Sequence, residues 1–313
     1  MEPILSIRNL TKYKNETNYF IPFFRRRKVI LNSIYLNIYP NEIFCLVGET
    51  LSGKSSLGKA ILRLTSIDTG KIIYKKKDIT SYNKKEMKKI REEMQIIFQH
   101  SEKFINPKMS IYKLIAEPLN IKKKSVKKTE EMIFSIFKKL DLSKTILNKL
   151  PSELTITELE KVMLARVLIL NPSFLVADEP TVGLDLKNKI KVISLLKEIK
   201  EKSSLTILLI SNNIKEILMI ADRIGLIYRG QIVEVIKKDI FLTDSLHPYS
   251  KIIIQNIKKI EDFSNNTNNI KNKENLCSFL ENCPIAIDRC YKEKPKLKEI
   301  QKEHYVSCFR YYD

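Results

Sequence analysis

The sequence has 313 residues, 43% of them hydrophobic, which is enough for one large domain or two smaller ones. No apolar run approaches the roughly 18–20 residues that cross a bilayer, and the acidic start of the chain is unlike a secretory signal, so we expect a protein kept in the cytoplasm. The net charge of +20 comes from lysines spread along the whole chain, which argues against nucleic-acid binding and allows weak attraction to an anionic membrane surface.

In chain order, short β-branched runs predict strands, and apolar residues at helical spacing predict helices. Strands are expected at 4–10, 28–38, 42–47, 174–177 and 206–211. Helices are expected at about 53–64, 84–92, 110–118, 127–140, 157–170, 187–202, 213–221 and 247–261. Buried strands that alternate with helices predict an α/β fold with a mixed, mostly parallel sheet. The mainly helical stretch at about 100–165 lies between sheet segments and predicts a helical subdomain.

The segment 43–62 predicts a hydrophobic strand, a loop and a helix, and its loop fits the pattern G-x-x-x-x-G-K-[ST]. Glycines let backbone N–H groups close around phosphate oxygens, and a helix N-terminus favours negative charge. In this pattern Lys54 reaches the β- and γ-phosphates of a nucleotide and Ser55 binds Mg²⁺. The predicted nucleotide-binding loop comprises Gly48, Glu49, Thr50, Leu51, Ser52, Gly53, Lys54, Ser55 and Ser56.

A second signal consists of two acidic residues that follow the predicted strand at 174–177. Asp178 stands at the C-terminal end of this apolar run and is expected to hold Mg²⁺ through water. Glu179 comes next and is expected to polarise the attacking water as a general base. The two signals together predict a nucleotide hydrolase.

These motifs, together with Gln99 at the end of the predicted strand MQIIFQ and Asp185 in PTVGLD, resemble those of the ABC ATPases. The resemblance covers about residues 4–262 and implies the P-loop ABC ATPase fold with ATP and Mg²⁺ as ligands. It implies that Gln99 senses Mg²⁺ and the γ-phosphate and contacts the membrane subunit, and that Asp185 crosses a dimer interface. The adenine-stacking aromatic should lie near the end of the first strand, where Tyr13 is the nearest candidate although the position-for-position match is Lys14.

Further markers resemble the ATP-binding subunits of the oligopeptide/dipeptide permease group, which also contains importers of nickel and other small solutes. The markers are FINPKMSI at 104–111, LHPYSK at 246–251 and the terminal cysteines. The resemblance implies a peripheral subunit on the cytoplasmic face of the membrane. Its implied partners are a second nucleotide-binding subunit, forming a heterodimer, two permease subunits and an extracytoplasmic solute-binding protein, with no nucleic acid.

The chain departs from the ABC pattern at the signature loop, where the family carries Ser-Gly-Gly-Gln. Here Thr155 keeps a hydroxyl, Ile156 and Thr157 replace the glycines, and Glu158 replaces the glutamine. A β-branched side chain prevents close backbone approach, and a carboxylate repels a phosphate. We therefore expect an ordinary helix N-terminus, capped at Thr155 or Thr157, that has lost its phosphate contact.

A second departure is Asn212, in ISNN, where the family has a histidine. An amide can donate a hydrogen bond to a γ-phosphate but carries no titrating proton. A milder one is His100, where an aspartate is usual and to which we assign no role. In a head-to-tail pair, one composite site lacks the signature glycines and the other lacks the histidine. The alternative function is therefore an ATP-binding regulatory or structural subunit with little hydrolysis.

The polar run at 262–275 predicts a linker, so we expect a nucleotide-binding domain at 1–262 and a small C-terminal extension at 263–313. Four thiols in a reducing compartment indicate a metal site rather than disulfides. They suit either an iron–sulfur cluster or tetrahedral zinc, and free thiols are the third alternative. Within the permease group the element resembles a [4Fe–4S]-binding tail. The candidate ligands are Cys277, Cys283, Cys290 and Cys308.

Overall fold

A computed structural model describes residues 1–17, 25–99, 105–120, 125–259 and 274–312. The chain forms two compact units, Met1–Tyr82 with Ile210–Asp313 and Asn83–Leu209. The C-terminal extension belongs to the first of these units. Most of the predicted linker lies outside the described residues, and the boundary at 262 stays a prediction.

The strands are β1 (Leu5–Thr17), β2 (Arg25–Ile38), β3 (Ile43–Val47), β4 (Thr69–Tyr74), β5 (Lys77–Asp78), β6 (Met94–Ile97), β7 (Phe174–Asp178), β8 (Thr206–Ser211), β9 (Arg223–Tyr228), β10 (Gln231–Lys237), β11 (Lys298–Gln301) and β12 (His304–Val306). The α-helices are α1 (Lys54–Ile61), α2 (Lys84–Glu93), α3 (Ile111–Asn120), α4 (Val126–Lys139), α5 (Ile156–Leu168), α6 (Leu186–Lys202), α7 (Ile214–Ile220), α8 (Lys238–Asp244) and α9 (Pro248–Lys259). Each predicted helix and strand appears within a few residues of its expected bounds, except that β1 continues well past residue 10.

The first unit contains an antiparallel sheet in the order β2-β1-β4-β5. It also contains the strand series β11-β12-β10-β9-β3, in which β3 pairs in parallel with β9. Every residue of β3 and β9 is buried, as expected of strands covered on both faces. The predicted nucleotide-binding loop therefore leaves the carboxyl end of a rigid core strand.

The second unit has the strand order β8-β7-β6, and β6 pairs in parallel with β7. Helices α3, α4 and α5 lie in the stretch predicted to be a helical subdomain and pack on one another. Part of that stretch, including residues 100–104, lies outside the described residues. No helix in the described part of the chain is long and apolar enough to cross a membrane.

A buried carboxylate on β10 helps to hold the C-terminal extension within the first unit, beside the pairing of β12 with β10. Glu234 on β10 is fully buried and accepts hydrogen bonds from the backbone N–H groups of Leu246 at 2.8 Å and His247 at 3.1 Å and from the hydroxyl of Ser250. On β12, Nε2 of His304 lies 2.7 Å from the same carboxylate. The carboxylate therefore joins β10, the start of α9 and the extension.

Candidate nucleotide-binding site

The loop between β3 and α1 requires glycine at both ends. A Cβ atom at Gly48 would lie 2.2 Å from the carbonyl oxygen of Ile227, so any side chain there would displace the backbone. Gly53 has a φ of 104°, and a Cβ atom there would lie 2.8 Å from the carbonyl oxygen of Ile30. Both conditions are met without strain only by glycine. The two conserved positions of the phosphate-binding pattern are thus explained by the packing of this chain.

Lys54 begins α1 and folds back under the loop. Its ammonium donates hydrogen bonds to the carbonyl oxygens of Gly48 at 2.7 Å and Glu49 at 2.8 Å, and the residue is only 4% exposed. The hydroxyl of Ser52 is buried without a protein partner, which leaves it available to an oxygen of a ligand. Because Gly53 provides no side-chain cap, the N-terminus of α1 stays open to an anion. The loop therefore has the cradle that a phosphate group needs.

The remaining loop residues form its outer edge and its passage into the helix. Thr50 is exposed, and Leu51 is 94% exposed with a φ of 66°. Ser55 and Ser56 are half-buried in the first turn of α1. A non-glycine residue in the left-handed region is strained, and such strain is concentrated at functional loops.

Two hydrogen bonds that were not predicted from the sequence fix the backbone of this loop at Ser52 and Glu49. The backbone N–H of Gly230, in the turn between β9 and β10, donates to the carbonyl oxygen of Ser52 at 2.8 Å. The N–H of Glu49 donates to the hydroxyl of Tyr249 at 3.2 Å. A glycine between two apolar runs is a turn signal, and it indicates the turn at Gly230. Tyr249 lies in the LHPYSK segment, whose sequence alone does not indicate a structural role.

The other candidates of the first unit lie at its surface. Tyr13 pairs with Val29 across β1 and β2, and its hydroxyl lies 3.4 Å from the carboxylate of Glu274 in the extension. Lys14 is exposed. Asn212 is exposed between β8 and α7, and its neighbour Asn213 caps α7 by accepting from Lys215 N. The role of Tyr13 in adenine stacking stays a prediction.

In the second unit the acidic pair lies at the C-terminal end of β7, as predicted. Asp178 is the last residue of the strand and is 4% exposed. Glu179 is half-buried and has a φ of 50°, which is a left-handed backbone conformation for a residue with a side chain. Strain of this kind is maintained where the direction of a side chain matters. Its presence at Glu179 agrees with the predicted general base.

Gln99 is exposed two residues beyond the end of β6, and His100 lies outside the described residues. A cavity of about 210 Å³ lies beside β6, with an Arg166–Glu117 ion pair of 2.5 Å at its edge. It is lined by Gln95, Ile96, Ile97, Phe98, Pro118, Met163, Arg166, Val167 and Leu170. The segment that leads to Gln99 thus forms one wall of a mainly apolar depression.

The altered signature segment forms a complete helix cap, as the sequence predicts. Thr155 is the N-cap of α5, and its hydroxyl oxygen accepts from the N–H of Glu158 at 3.3 Å. The Glu158 carboxylate accepts from the N–H of Thr155 at 2.9 Å and from its hydroxyl at 2.8 Å. These hydrogen bonds to Thr155 lower the pKa of Glu158. A carboxylate of this chain therefore occupies the helix terminus at which the family binds a phosphate.

Asp185 is an exposed N-cap as well. It caps α6 by accepting from the N–H of Asn188 at 3.0 Å and from its side-chain amide at 2.6 Å. The Asn188 oxygen accepts in turn from the hydroxyl of Thr157 at 2.7 Å. The structure therefore links Thr157, in the altered signature, to Asp185 within one unit.

All five cysteines are free thiols. Cys45 is fully buried on β3, as expected of a small core residue. In the extension, burial and the neighbouring thiols Cys290, Cys283 and Cys308 raise the pKa of Cys277 to about 12. Among the residues that the structure describes, no group of three or more histidine, cysteine, aspartate or glutamate side chains is arranged to hold a metal ion. The four thiols are therefore neighbours, but they do not form a metal-ligand geometry.

A family model described as "ABC transporter" matches residues 31–182. A Brucella ovis protein named a putative peptide import ATP-binding protein is 29% identical, over 98% of this chain and 98% of its own length. The oligopeptide transport ATP-binding protein AppF of Bacillus subtilis is 27% identical over 99% and 98%, and OppF of Haemophilus influenzae is 28% identical over 96% and 93%.

Solved structures share the fold. The dimeric ATP-binding cassette MJ0796, bound to ADP and phosphate, has a TM-score of 0.66 at 24% identity and covers 75% of this chain and 98% of its own. The cbiO1 protein of Clostridium perfringens has a TM-score of 0.67 at 22% identity, with coverage of 82% and 96%. The match at residues 31–182, the relatives aligned along nearly the whole length and the shared cassette fold together show that this chain carries an ABC transporter ATPase domain.

Proposed function

We propose that this chain couples ATP binding and hydrolysis to the import of peptides through a membrane permease, as a peripheral subunit on the cytoplasmic face of the membrane. The observation that carries the proposal is the loop between β3 and α1, where Lys54 is buried beneath a glycine-flanked turn. The names of the relatives support peptides as the solute. A nickel or other small-solute importer uses the same machinery and is the alternative that the uptake experiment below decides.

Within this proposal each residue has a defined task. Lys54 and the amides of the loop would bind the phosphates, and Ser55, Gln99 and Asp178 would hold Mg²⁺, which supplies charge neutralisation when bound. Glu179 would take a proton from the attacking water, Gln99 would also sense the γ-phosphate, and Asn212 would donate to it. The cradle of Lys54 and the strained backbone at Glu179 support these assignments.

The altered signature supports a heterodimer. In a self-paired dimer both sites would face an α5 terminus occupied by Glu158, and both would have Asn212 in place of histidine. Loss of one well-placed donor to a transferring phosphoryl group typically costs about 10²–10³ in rate. A second nucleotide-binding subunit with an intact signature would restore one composite site. The same observation favours the alternative that this chain mainly regulates, while the other subunit hydrolyses ATP.

The permease subunits would contact the cavity beside β6. Its apolar lining and its single ion pair, Arg166–Glu117, suit a short helix with an apolar face. Val167→Asp should prevent co-purification with the permeases and leave ATP affinity unchanged. Val126→Asp is the matched control, because Val126 is 70% exposed and lies away from the cavity lining. Equal permease binding by both variants would rule out this surface.

The C-terminal extension would hold a [4Fe–4S] cluster, with zinc as the alternative. The support is its donor set, four thiols that lie near one another in one short element of the chain. Burial raises the pKa of Cys277 and Cys308, so both would have to lose a proton on binding a metal. Bound iron or zinc would need these thiols as thiolates and rotated towards one point.

Anaerobically purified protein should then be brown and contain about four irons per chain. Cys290→Ser should remove the iron, whereas Cys45→Ala, at a core cysteine far from the extension in sequence, should retain it. Colourless protein with one zinc per chain would establish a zinc site instead. Metal-free protein would show that the four cysteines are free thiols.

Reconstitution with the permeases, the partner subunit and a solute-binding protein tests the function. Vesicles that contain the complex should take up a labelled oligopeptide only with Mg-ATP, and Glu179→Gln should stop this uptake while ATP still binds. Glu198→Gln is a control, because Glu198 forms a surface ion pair with Lys202 on α6. Uptake of nickel but not of peptide would identify nickel as the transported solute. Peptide uptake that persists in Glu179→Gln and in Lys54→Ala would contradict the energising role.

A further inference from the structure

The phosphate-binding loop has an anchor about 200 residues away in sequence, at the hydroxyl of Tyr249. The N–H of Glu49 donates to this hydroxyl at 3.2 Å. Glu49 lies between Gly48 and the exposed edge of the loop, and burial raises the pKa of its carboxyl against the opposing charges of Arg229 and Lys54. An amide at this position sets the direction of the loop, because the peptide plane that it belongs to also carries the Gly48 carbonyl that Lys54 contacts.

Tyr249 has little freedom to move. It is 2% exposed, and its burial raises the pKa of the phenol, which therefore stays neutral. Its ring packs against Tyr228 with a centroid distance of 4.8 Å and an interplanar angle of 53°. Tyr228 ends β9, two residues before Gly230, whose N–H binds the Ser52 carbonyl. The aromatic pair thus joins the two anchors of the loop, at Glu49 and at Ser52.

The cysteine-containing extension completes this packing. Phe279 is 3% exposed and lies 5.1 Å from the Tyr228 ring at 81° and 5.7 Å from the Tyr249 ring at 55°. Its backbone N–H donates to the thiol of Cys277. Asn282 donates to the Tyr228 hydroxyl at 3.0 Å, and Glu281 pairs with Arg229 at 3.2 Å. One short segment of the extension therefore contacts both anchors.

We infer that Tyr249 is a positioning residue of the nucleotide site and that Phe279 transmits the state of the C-terminal cysteine element to the phosphate-binding loop. The inference rests on the proposed nucleotide site. The contacts run from Cys277 through Phe279 and Tyr249 to the amide of Glu49. Loosening the extension releases Tyr249, and the loop then samples orientations that bind phosphate less well.

The test uses the full chain and two measurements. The first is the dissociation constant of Mg-ATP, and the second is hydrogen exchange at the Glu49 amide. Tyr249→Phe keeps the ring and removes the hydroxyl, so ATP should bind roughly three- to tenfold more weakly, which is the range expected for one lost hydrogen bond. The Glu49 amide should exchange faster while the unfolding midpoint stays nearly constant. Phe279→Leu should shift both measurements in the same direction.

Tyr35→Phe is the matched control, because Tyr35 is 46% exposed on β2 and is not one of the residues named above that join the loop to the extension. It should leave ATP affinity and exchange at Glu49 unchanged. Lys54→Ala distinguishes an error in the proposed nucleotide site from an error in the positioning role of Tyr249. If Lys54→Ala binds ATP normally, the nucleotide site itself is wrong. If Lys54→Ala abolishes binding but Tyr249→Phe matches the parent in affinity and in exchange, only the positioning role is overturned. If Phe279→Leu unfolds, Tyr249→Phe alone decides.

Discussion

The hydroxyl of Thr157 donates a 2.7 Å hydrogen bond to the side-chain oxygen of Asn188, whose amide binds the carboxylate of Asp185. Thr157 stands where the ABC pattern has a signature glycine. In this chain the position therefore carries a side chain that ties the start of α5 to the start of α6. The altered signature has acquired a structural contact inside its own subunit.

Removing the Thr157 hydroxyl should measurably lower the free energy of unfolding. We expect Thr157→Val to lower the free energy of unfolding by about 1 kcal/mol, because the half-buried Asn188 loses its donor. A double-mutant cycle with Asn188→Ala, followed by urea denaturation, should give a coupling energy of roughly 0.5–1.5 kcal/mol. A coupling energy near zero would show that the hydrogen bond contributes nothing.

The buried carboxylate on β10 gives a second prediction. Glu234→Gln keeps one acceptor oxygen and replaces the other by an NH2 group, which directs N–H either at the donor of Leu246 or at those of His247 and Ser250. We therefore expect a loss of about 3 kcal/mol in unfolding free energy. Glu303→Gln is the control, because Glu303 forms an exposed ion pair with Lys237. It should cost less than about 1 kcal/mol. Similar losses in both variants would contradict the anchoring role of Glu234.

A pH dependence follows from His247. Its imidazole is 1% exposed, and burial lowers its pKa from 6.5 to about 4, with Glu234 acting in the opposite direction. Between these pH values the unfolded chain binds a proton that the folded chain does not, so the free energy of unfolding falls as the pH falls. The loss from this group should reach up to about 3 kcal/mol between pH 6.5 and pH 4.

His247→Asn isolates this effect. Nδ1 of His247 accepts from the N–H of Tyr249 at 3.1 Å, and an asparagine oxygen can accept from the residue two positions later without titrating. Denaturation across pH 4–7 should give a flatter curve for the variant than for the parent. Parallel curves would show that His247 does not titrate on unfolding.

Local patterns in the sequence were enough to predict the loop between β3 and α1, the acidic pair after β7 and the cap at Thr155. Each depends on neighbouring residues, whose spacing decides hydrogen bonding within one turn or loop. The hairpin of β9 and β10 and the strands β4, β5, β11 and β12 were not predicted. Strands such as β5 and β12 are too short to give a periodic signal, and only pairing with a distant strand stabilises them.

The contacts that position the site could not be predicted from the sequence either. Glu49 and Tyr249 meet because the turn after β9 and the start of α9 fold against the same side of the loop. The residue types alone do not indicate this, since a tyrosine in a helix is usually part of a core. The link from Thr157 to Asn188 likewise depends on two helix starts that only tertiary packing brings together.

Restoring the signature should act on the partner's site. Ile156→Gly combined with Thr157→Gly removes the β-branched side chains, and Glu158→Gln removes the capping charge from the start of α5. The triple variant should bring the N-terminus of α5 within reach of a phosphate on the partner subunit and increase ATP hydrolysis there about tenfold or more. The two glycines should each lower the stability of the helix by roughly 0.5 kcal/mol, because isoleucine and threonine are themselves weaker helix formers than alanine. Unchanged turnover in the paired complex would mean that the altered signature does not limit this site.

The most direct test of the account is ATP hydrolysis by this chain alone and in complex with a subunit that has an intact signature. We expect the isolated chain to hydrolyse ATP barely above background, because self-pairing combines the loss at Glu158 with the loss at Asn212. The complex should recover activity that Lys54→Ala abolishes and Asn212→His increases. A paired complex without activity, to which Asn212→His adds none, would contradict the energising role and leave a regulatory subunit.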